Sequence, residues 1–452
     1  MVRKIFFYQG IILALFLLIF GQKAYANNID DIISNSGNLQ KAVIGISVKE
    51  LHSGKVLYQK NQNTFVHPAS TLKLITSAAA YDYLGSEYFF KTGIYKNRGK
   101  IYFKVGADPL FEYSDMLNLI SQYKNKNTEP ILKFYIDDSI IDKEPYGIGW
   151  QWDDNTNVHF PQTSPYTINQ NLCMLKASLN DKNKVQIEFP NEYKEPVTNN
   201  LTHGEKTLVT TKRNIFKNNA PIILNGTINK TSIIKVPAKS PEQLYLNVLR
   251  IALVMHDVAI NSQIGYAKVP QFSVEEAIIA RNINDVLKEI NQNSNNLAAE
   301  LLIKHTGAAK TGEQGTTKAG LDVIKQYYLQ KNVNIKDTIL VDASGASMND
   351  YVTANFMTDA LIAISKSPNF STIKNSLTDN NIGTFQNRLN ELNGKIKVKT
   401  GTNANTSAVI GYLKAADNKD LVFSIIIDNI PKSATPKELE NKIIKAIYTN
   451  SF

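Results

Sequence analysis

Apolar and polar positions alternate with period two in some stretches and with a period near 3.6 in others, and this sorts the chain into strands and helices. Ala42-Val43-Ile44-Gly45-Ile46-Ser47-Val48 reads as a strand, His52-Ser53-Gly54-Lys55 as a turn, and Lys55-Val56-Leu57-Tyr58-Gln59 as a second strand, which together predict a hairpin. A short helix is expected before it, over residues 27–38. A longer helix follows from Pro68 through an Ala-, Leu- and Ile-rich run to Gly85; proline suits a first turn and glycine a stop. From about residue 90 to 264 the pattern changes to short β-like runs such as Lys100-Ile101-Tyr102-Phe103-Lys104-Val105, separated by polar loops rich in Asn and Lys. Helical periodicity returns at 274–291, 297–305 and 321–331. The chain then alternates strands at 395–399, 407–413 and 421–428 with a last helix over 437–448.

The first 26 residues follow a different pattern. Arg3 and Lys4 precede an apolar run centred on Ile11 to Phe20, and Ala24-Tyr25-Ala26 has the small-x-small form of a cleavage site. This predicts a secretory signal peptide cut after Ala26, because the run is shorter than the ~20 apolar residues of a spanning helix. Loss of Arg3, Lys4 and Lys23 reduces the 50 basic residues to 47 against 40 acidic, so the formal charge falls from +10 to +7. No basic block is interleaved with aromatics, which argues against nucleic acid as a partner. Anionic envelope polymers or lipid headgroups are the electrostatic partners this balance favours, in a peripheral membrane or cell-wall complex. Cys173 is the one cysteine, so stability comes from packing without an intramolecular disulfide; its setting in Leu172-Cys173-Met174-Leu175 predicts a buried, inert thiol.

Three segments carry candidate chemistry. In Ser70-Thr71-Leu72-Lys73 the serine and lysine are three apart, so both side chains leave one face of a helix. A serine is a weak nucleophile until a base takes its proton, and a partly desolvated lysine can be that base. The plainer reading is a buried helix with an N-terminal serine and a lysine reaching for solvent. Ser294-Asn295-Asn296 falls in a polar loop between two helical patterns, where a hydroxyl could relay a proton and an amide two positions on could hold a substrate carbonyl. The plainer reading there is a helix N-cap. Lys399-Thr400-Gly401-Thr402 ends an alternating strand; an edge strand ending in this way offers an ammonium and a hydroxyl, with Gly401 allowing close approach of a substrate backbone. Lys310-Thr311-Gly312 repeats the three letters, but it follows a helix expected to end near Gly307 and reads as a turn. No His-Glu-x-x-His, phosphate loop or Gly-x-Ser-x-Gly elbow is present, and the six histidines lack ligand spacing, so neither a metal nor a cofactor is expected.

The order Ser-x-x-Lys, Ser-x-Asn, Lys-Thr-Gly is that of the penicillin-recognising serine hydrolases. The mature chain resembles the class C low-molecular-mass penicillin-binding proteins, the D-alanyl-D-alanine carboxypeptidase/endopeptidase family (peptidase S13). The similarity includes Gly106-Ala107-Asp108-Pro109-Leu110, Gly149-Trp150-Gln151-Trp152-Asp153-Asp154, Asp342-Ala343-Ser344-Gly345-Ala346-Ser347 and Gly383-Thr384. The resemblance implies an α/β fold, a β-lactamase-like transpeptidase domain in which an antiparallel sheet is flanked by helices. This domain would be assembled from residues 27–90 and 265–452 around a large, mostly β insertion over 91–264. It also implies a periplasmic enzyme acting on peptidoglycan stem peptides and acylated by β-lactam antibiotics. Ser70 would be the nucleophile, Lys73 its base and Ser294 the proton relay. Asn296 would hold the acyl-side amide, Lys399 and Thr400 the terminal carboxylate, and the N–H groups of Ser70 and Thr402 the oxyanion. Asp154 matches the acid that receives the amino group of a diaminopimelate side chain, whereas the arginine often found beyond the Asp-Gly-Ser-Gly-Leu-Ser motif is Met348 here, and the motif's second and fifth positions are Ala343 and Ala346. Two alternatives accompany this expectation: a serine β-lactamase, and a non-catalytic peptidoglycan-binding scaffold on the same fold.

Overall fold

The computed structural model describes residues 28–452 apart from 218, 337, 432 and 433, and the expected leader at 1–26 lies outside the described residues. Five antiparallel strands form one sheet in the order Ile396–Thr402, Ser407–Lys414, Asp420–Asp428, Val43–Glu50, Val56–Lys60. Both faces of this sheet are covered, which explains why Asp420–Asp428 is an almost unbroken apolar run. Ile410, Tyr412, Val422 and Ile426 pack on one side against the helices Leu72–Leu84, Asn296–Thr311, Thr317–Gln330 and Ala354–Ser365. Val409, Leu413, Phe423 and Ile425 point the other way, onto Ile29–Ser34 and the terminal helix Pro436–Tyr448. The alternation along each strand thus fills two separate cores.

The middle of the chain builds a third core around Phe103, Phe134, Leu175, Leu224 and Tyr245. A five-stranded sheet runs in the order Ile264–Tyr266, Phe134–Asp137, Lys100–Lys104, Phe89–Asn97, Val274–Asn282, and two three-stranded sheets lie beyond it. Two helices, Tyr113–Lys126 and Pro241–Met255, also pack here, although the strand-rich pattern did not announce them. Cys173 is buried in this core, and burial pushes its thiol up to about 12.

Two local expectations are corrected. Residues 274–291 are not one helix: Val274–Asn282 pairs antiparallel with Phe89–Asn97, and the helix starts only at Ile283, where the Asn282 side chain accepts the Asn284 N–H. A segment beside an open sheet edge follows its tertiary partner rather than its apparent period. Lys310-Thr311-Gly312 is not a free turn either. The helix continues to Thr311, and Gly312 closes it in the left-handed region at φ 70°. Among the described residues, no helix is long and apolar enough to cross a membrane.

Candidate active site

Ala69–Thr71 forms a single 3-10 turn ahead of the helix Leu72–Leu84, entered through Pro68 and a left-handed Ala69 at φ 45°. Ser70 in this turn and Lys73 in the first turn of the helix are three apart and emerge on one face. Lys73 Nζ accordingly lies 2.7 Å from Ser70 Oγ, and also donates to Asn296 Oδ1 at 2.6 Å and to the Ser344 carbonyl at 2.9 Å. Lys73 is wholly buried, so the sequence alternative of a lysine reaching for solvent does not hold. Burial pushes its amine down to about 7, with Asp342, Glu300 and Asp350 pulling the other way. Two acceptors engage two N–H bonds, so the neutral amine is left with its lone pair facing the serine hydroxyl.

The Ser294-Asn295-Asn296 loop serves both of its readings at once. Asn295 is the N-cap of Asn296–Thr311, accepting the Ala298 N–H at 3.0 Å. Its neighbours on each side turn into the site. Ser294 occupies the left-handed region at φ 60°, a conformation an L-residue keeps only when its surroundings impose it. The Asn296 amide donates to the His159 carbonyl at 2.8 Å, which fixes its oxygen toward Lys73.

Lys399 reaches back from the edge strand Ile396–Thr402 to donate to Ser294 Oγ at 2.8 Å and to the Thr400 carbonyl at 2.9 Å. Burial, then the neighbouring lysines Lys73 and Lys437, pushes Lys399 well below the ordinary lysine range. An incoming anion would supply the counter-charge it lacks. Gly401 allows a close approach: a Cβ there would stand 3.0 Å from Ser70 N and 3.0 Å from Ala69 Cβ. The strand therefore passes directly beside the Ala69–Thr71 turn.

Beneath this turn runs a layer of buried acids. Asp342 accepts the N–H groups of Gly345 at 2.6 Å and Ser347 at 2.8 Å and the Trp150 indole at 2.9 Å, tying the insertion to the loop. Glu300 accepts the N–H groups of Ala343 and Ser344, both at 3.0 Å, and so sets the Ser344 carbonyl that Lys73 uses. Burial, then the neighbouring Asp342, raises both Glu300 and Asp350 well above the usual carboxylate range. Gly345 crosses under Ala69 at φ 70°, where a Cβ would fall 2.0 Å from the Ala69 carbonyl. Gly345→Ala is therefore expected to cost at least about 2 kcal/mol, combining the left-handed penalty with this collision. It should lower the urea midpoint at unchanged slope and slow any reaction of Ser70; an unchanged midpoint would contradict the packing described here.

These parts line one cleft of about 790 Å³, with Ser70, Asp154, Ser294, Asn296, Thr400 and Thr402 on its surface. Lys73 and Lys399 stand buried behind the wall. Asp154 is half-buried opposite Met348, its carboxyl raised by burial, and it touches Asn157 rather than any of the reactive groups. Three contributors escape a reading of the sequence for roles. The Thr384 hydroxyl stands 2.5 Å from that of Thr400. His67 bridges Asp428 and the Met348 carbonyl, at 2.8 and 3.0 Å. Lys437 reaches the cleft from the terminal helix. Gly383-Thr384 was visible as part of the resemblance; His67 and Lys437 gave no local signal.

A serine beside a buried lysine, with a second serine–lysine pair and an amide closing the same cleft, is the layout of a serine hydrolase. Residues 25–449 match the D-Ala-D-Ala carboxypeptidase 3 (S13) family. The chain belongs to that family and is a serine-type hydrolase. It is 25% identical over 431 residues to a D-alanyl-D-alanine carboxypeptidase of Actinomadura sp. (strain R39), covering 88% of this chain and 79% of the relative. It is 20% identical over 349 residues to the D-alanyl-D-alanine carboxypeptidase DacB of Haemophilus influenzae, covering 72% of this chain and 71% of that one. The crystal structure of penicillin binding protein 4 (dacB) from H. influenzae shares the fold at a TM-score of 0.80 and 18% identity, over 93% of this chain and 99% of that chain. The same protein complexed with a novel β-lactam matches at a TM-score of 0.75.

Proposed function

We propose that this protein is a periplasmic DD-peptidase that removes terminal D-Ala from peptidoglycan stem peptides, cleaves their D-Ala–diaminopimelate cross-links, or does both, and that penicillins acylate it at Ser70. The observation that carries the reading is the Lys73 amine, held 2.7 Å from Ser70 Oγ by two other acceptors and lowered to about 7 by burial. Lys73 takes the Ser70 proton as the serine oxygen bonds to the penultimate D-Ala carbonyl carbon. The N–H groups of Ser70 and Thr402 stabilise the resulting oxyanion, a contribution of about 3 kcal/mol to the barrier. Ser294, fed by Lys399, passes a proton to the departing amine as the C–N bond breaks, and water then releases the acyl group from Ser70. Lys399 and Thr400, with Thr384 behind the latter, hold the terminal carboxylate. Asn296 holds the acyl-side amide, and Asp154 takes an amino group on the acyl-side chain. The H. influenzae relative has been crystallised complexed with a β-lactam, which is in keeping with acylation of Ser70 here. Export rests on the sequence pattern of residues 1–26. Digestion of purified sacculi followed by muropeptide analysis tests the reading: pentapeptides should shorten to tetrapeptides, dimers should fall to monomers, or both. Sacculi unchanged in both respects would overturn it.

A further inference from the structure

Lys73 has two acceptors besides Ser70, the Asn296 side-chain oxygen at 2.6 Å and the Ser344 carbonyl at 2.9 Å. One short stretch of chain, residues 150–160, reaches the supports of both. At its first end the Trp150 indole donates to Asp342 Oδ2 at 2.9 Å. Asp342 is fully buried and also receives the Gly345 N–H at 2.6 Å, the Ser347 N–H at 2.8 Å and the Ser344 hydroxyl at 3.1 Å. Among these four donors the indole alone comes from outside the 342–347 loop. Glu300 ties that loop to the helix Asn296–Thr311, and the indole ties it to the middle of the chain. Gly149, at φ 78°, lies flush on the same loop: a Cβ there would fall 2.4 Å from Ser347 Oγ. At the far end of the stretch the His159 carbonyl accepts the Asn296 amide at 2.8 Å.

The two ends are joined to each other. Phe160, next to His159, meets the Trp150 ring edge to face with 5.1 Å between centroids. The turn Trp152–Thr156 between them is anchored away from the site, where Asn155 donates to the Arg213 carbonyl at 3.3 Å and Thr156 to the Thr211 carbonyl at 2.9 Å. One rigid stretch rooted in the middle of the chain thus braces both acceptors of Lys73. We propose that Trp150 is a positioning residue for the acylation of Ser70: its N–H, through Asp342, sets the Ser344 carbonyl and so the direction in which Lys73 meets the serine. This rests on the DD-peptidase reading above.

The test follows acylation of the full-length protein by benzylpenicillin at pH 8, over a range of concentrations that separates the limiting rate from half-saturation. Trp150→Phe keeps a ring and loses the N–H. Its limiting rate is expected to fall at least about tenfold, the scale on which a displacement of about 1 Å at a reacting group acts. Half-saturation should change less than twofold. Trp150→His restores the donor, because an imidazole overlays the pyrrole half of the indole with an N–H in the same place, and should recover most of the rate. Trp152→Phe, the same exchange at an exposed ring two positions on, should change it less than twofold. An unchanged limiting rate in Trp150→Phe, or equal losses in Trp150→Phe and Trp150→His, would overturn the proposal and leave the peptidase reading intact. So would a loss that comes wholly from unfolding, seen as a collapsed urea midpoint with a normal rate for the folded fraction. Absence of any adduct on wild-type Ser70 would overturn the peptidase reading itself.

Discussion

Ser70→Ala should retain the fold and lose its reaction with stem peptides and with penicillin, by about 10⁵-fold or more. Removing the nucleophile of a covalent mechanism costs on that scale, because no neighbouring group replaces the attacking oxygen. The fold should survive, since the substitution deletes one cleft-facing hydroxyl and leaves the turn Ala69–Thr71 with its backbone contacts to the Gly345 loop and Gly401. Circular dichroism and the urea midpoint check the second statement, and muropeptide release checks the first. If the variant still trims D-Ala, the serine is not the nucleophile. If cell-wall composition is restored by Ser70→Ala as fully as by the wild type, the protein acts there as a scaffold.

Lys73→Met should slow acylation by about 10²–10⁴-fold, the usual contribution of a positioned general base. It also makes a statement about pH that a packing role would not. On the proposed mechanism the base is the neutral amine, and burial lowers it to about 7. Acylation should therefore be slow below pH 7, where the ammonium form dominates, and rise as pH increases through that value. In Lys73→Met this rising limb should vanish. A wild-type rate that is flat between pH 5 and 9 would remove Lys73 from the proton transfer.

The parts of this account that were legible in the sequence are those whose geometry is local. Ser70 and Lys73 meet because a single turn joins them, and Lys399 to Thr402 lie on one strand end. The Ser294 loop was ambiguous for a physical reason. Its cap and its chemistry use adjacent residues, with Asn295 bonded to the helix while Ser294 and Asn296 face the cleft. Lys310-Thr311-Gly312 shows the reverse case, three matching letters whose job is to end a helix. What remained hidden depends on long-range packing. Glu300, Asp342 and Asp350 come together only when the 342–350 loop folds under the Ala69–Thr71 turn. Val274–Asn282 becomes a strand only because Phe89–Asn97 offers an edge. Lys437 gave no local sign of facing the cleft either, because Gly401 is brought to it only by the packing of the sheet against the terminal helix.

The central claim is that the hydroxyl at position 70 is activated for acyl transfer by its buried lysine neighbour. Incubating the purified protein with benzylpenicillin and measuring its intact mass, followed by peptide mapping, tests this directly. One added penicillin, located on Ser70, is the result the structure predicts. A protein of unchanged mass, or an adduct at any other residue, would contradict it.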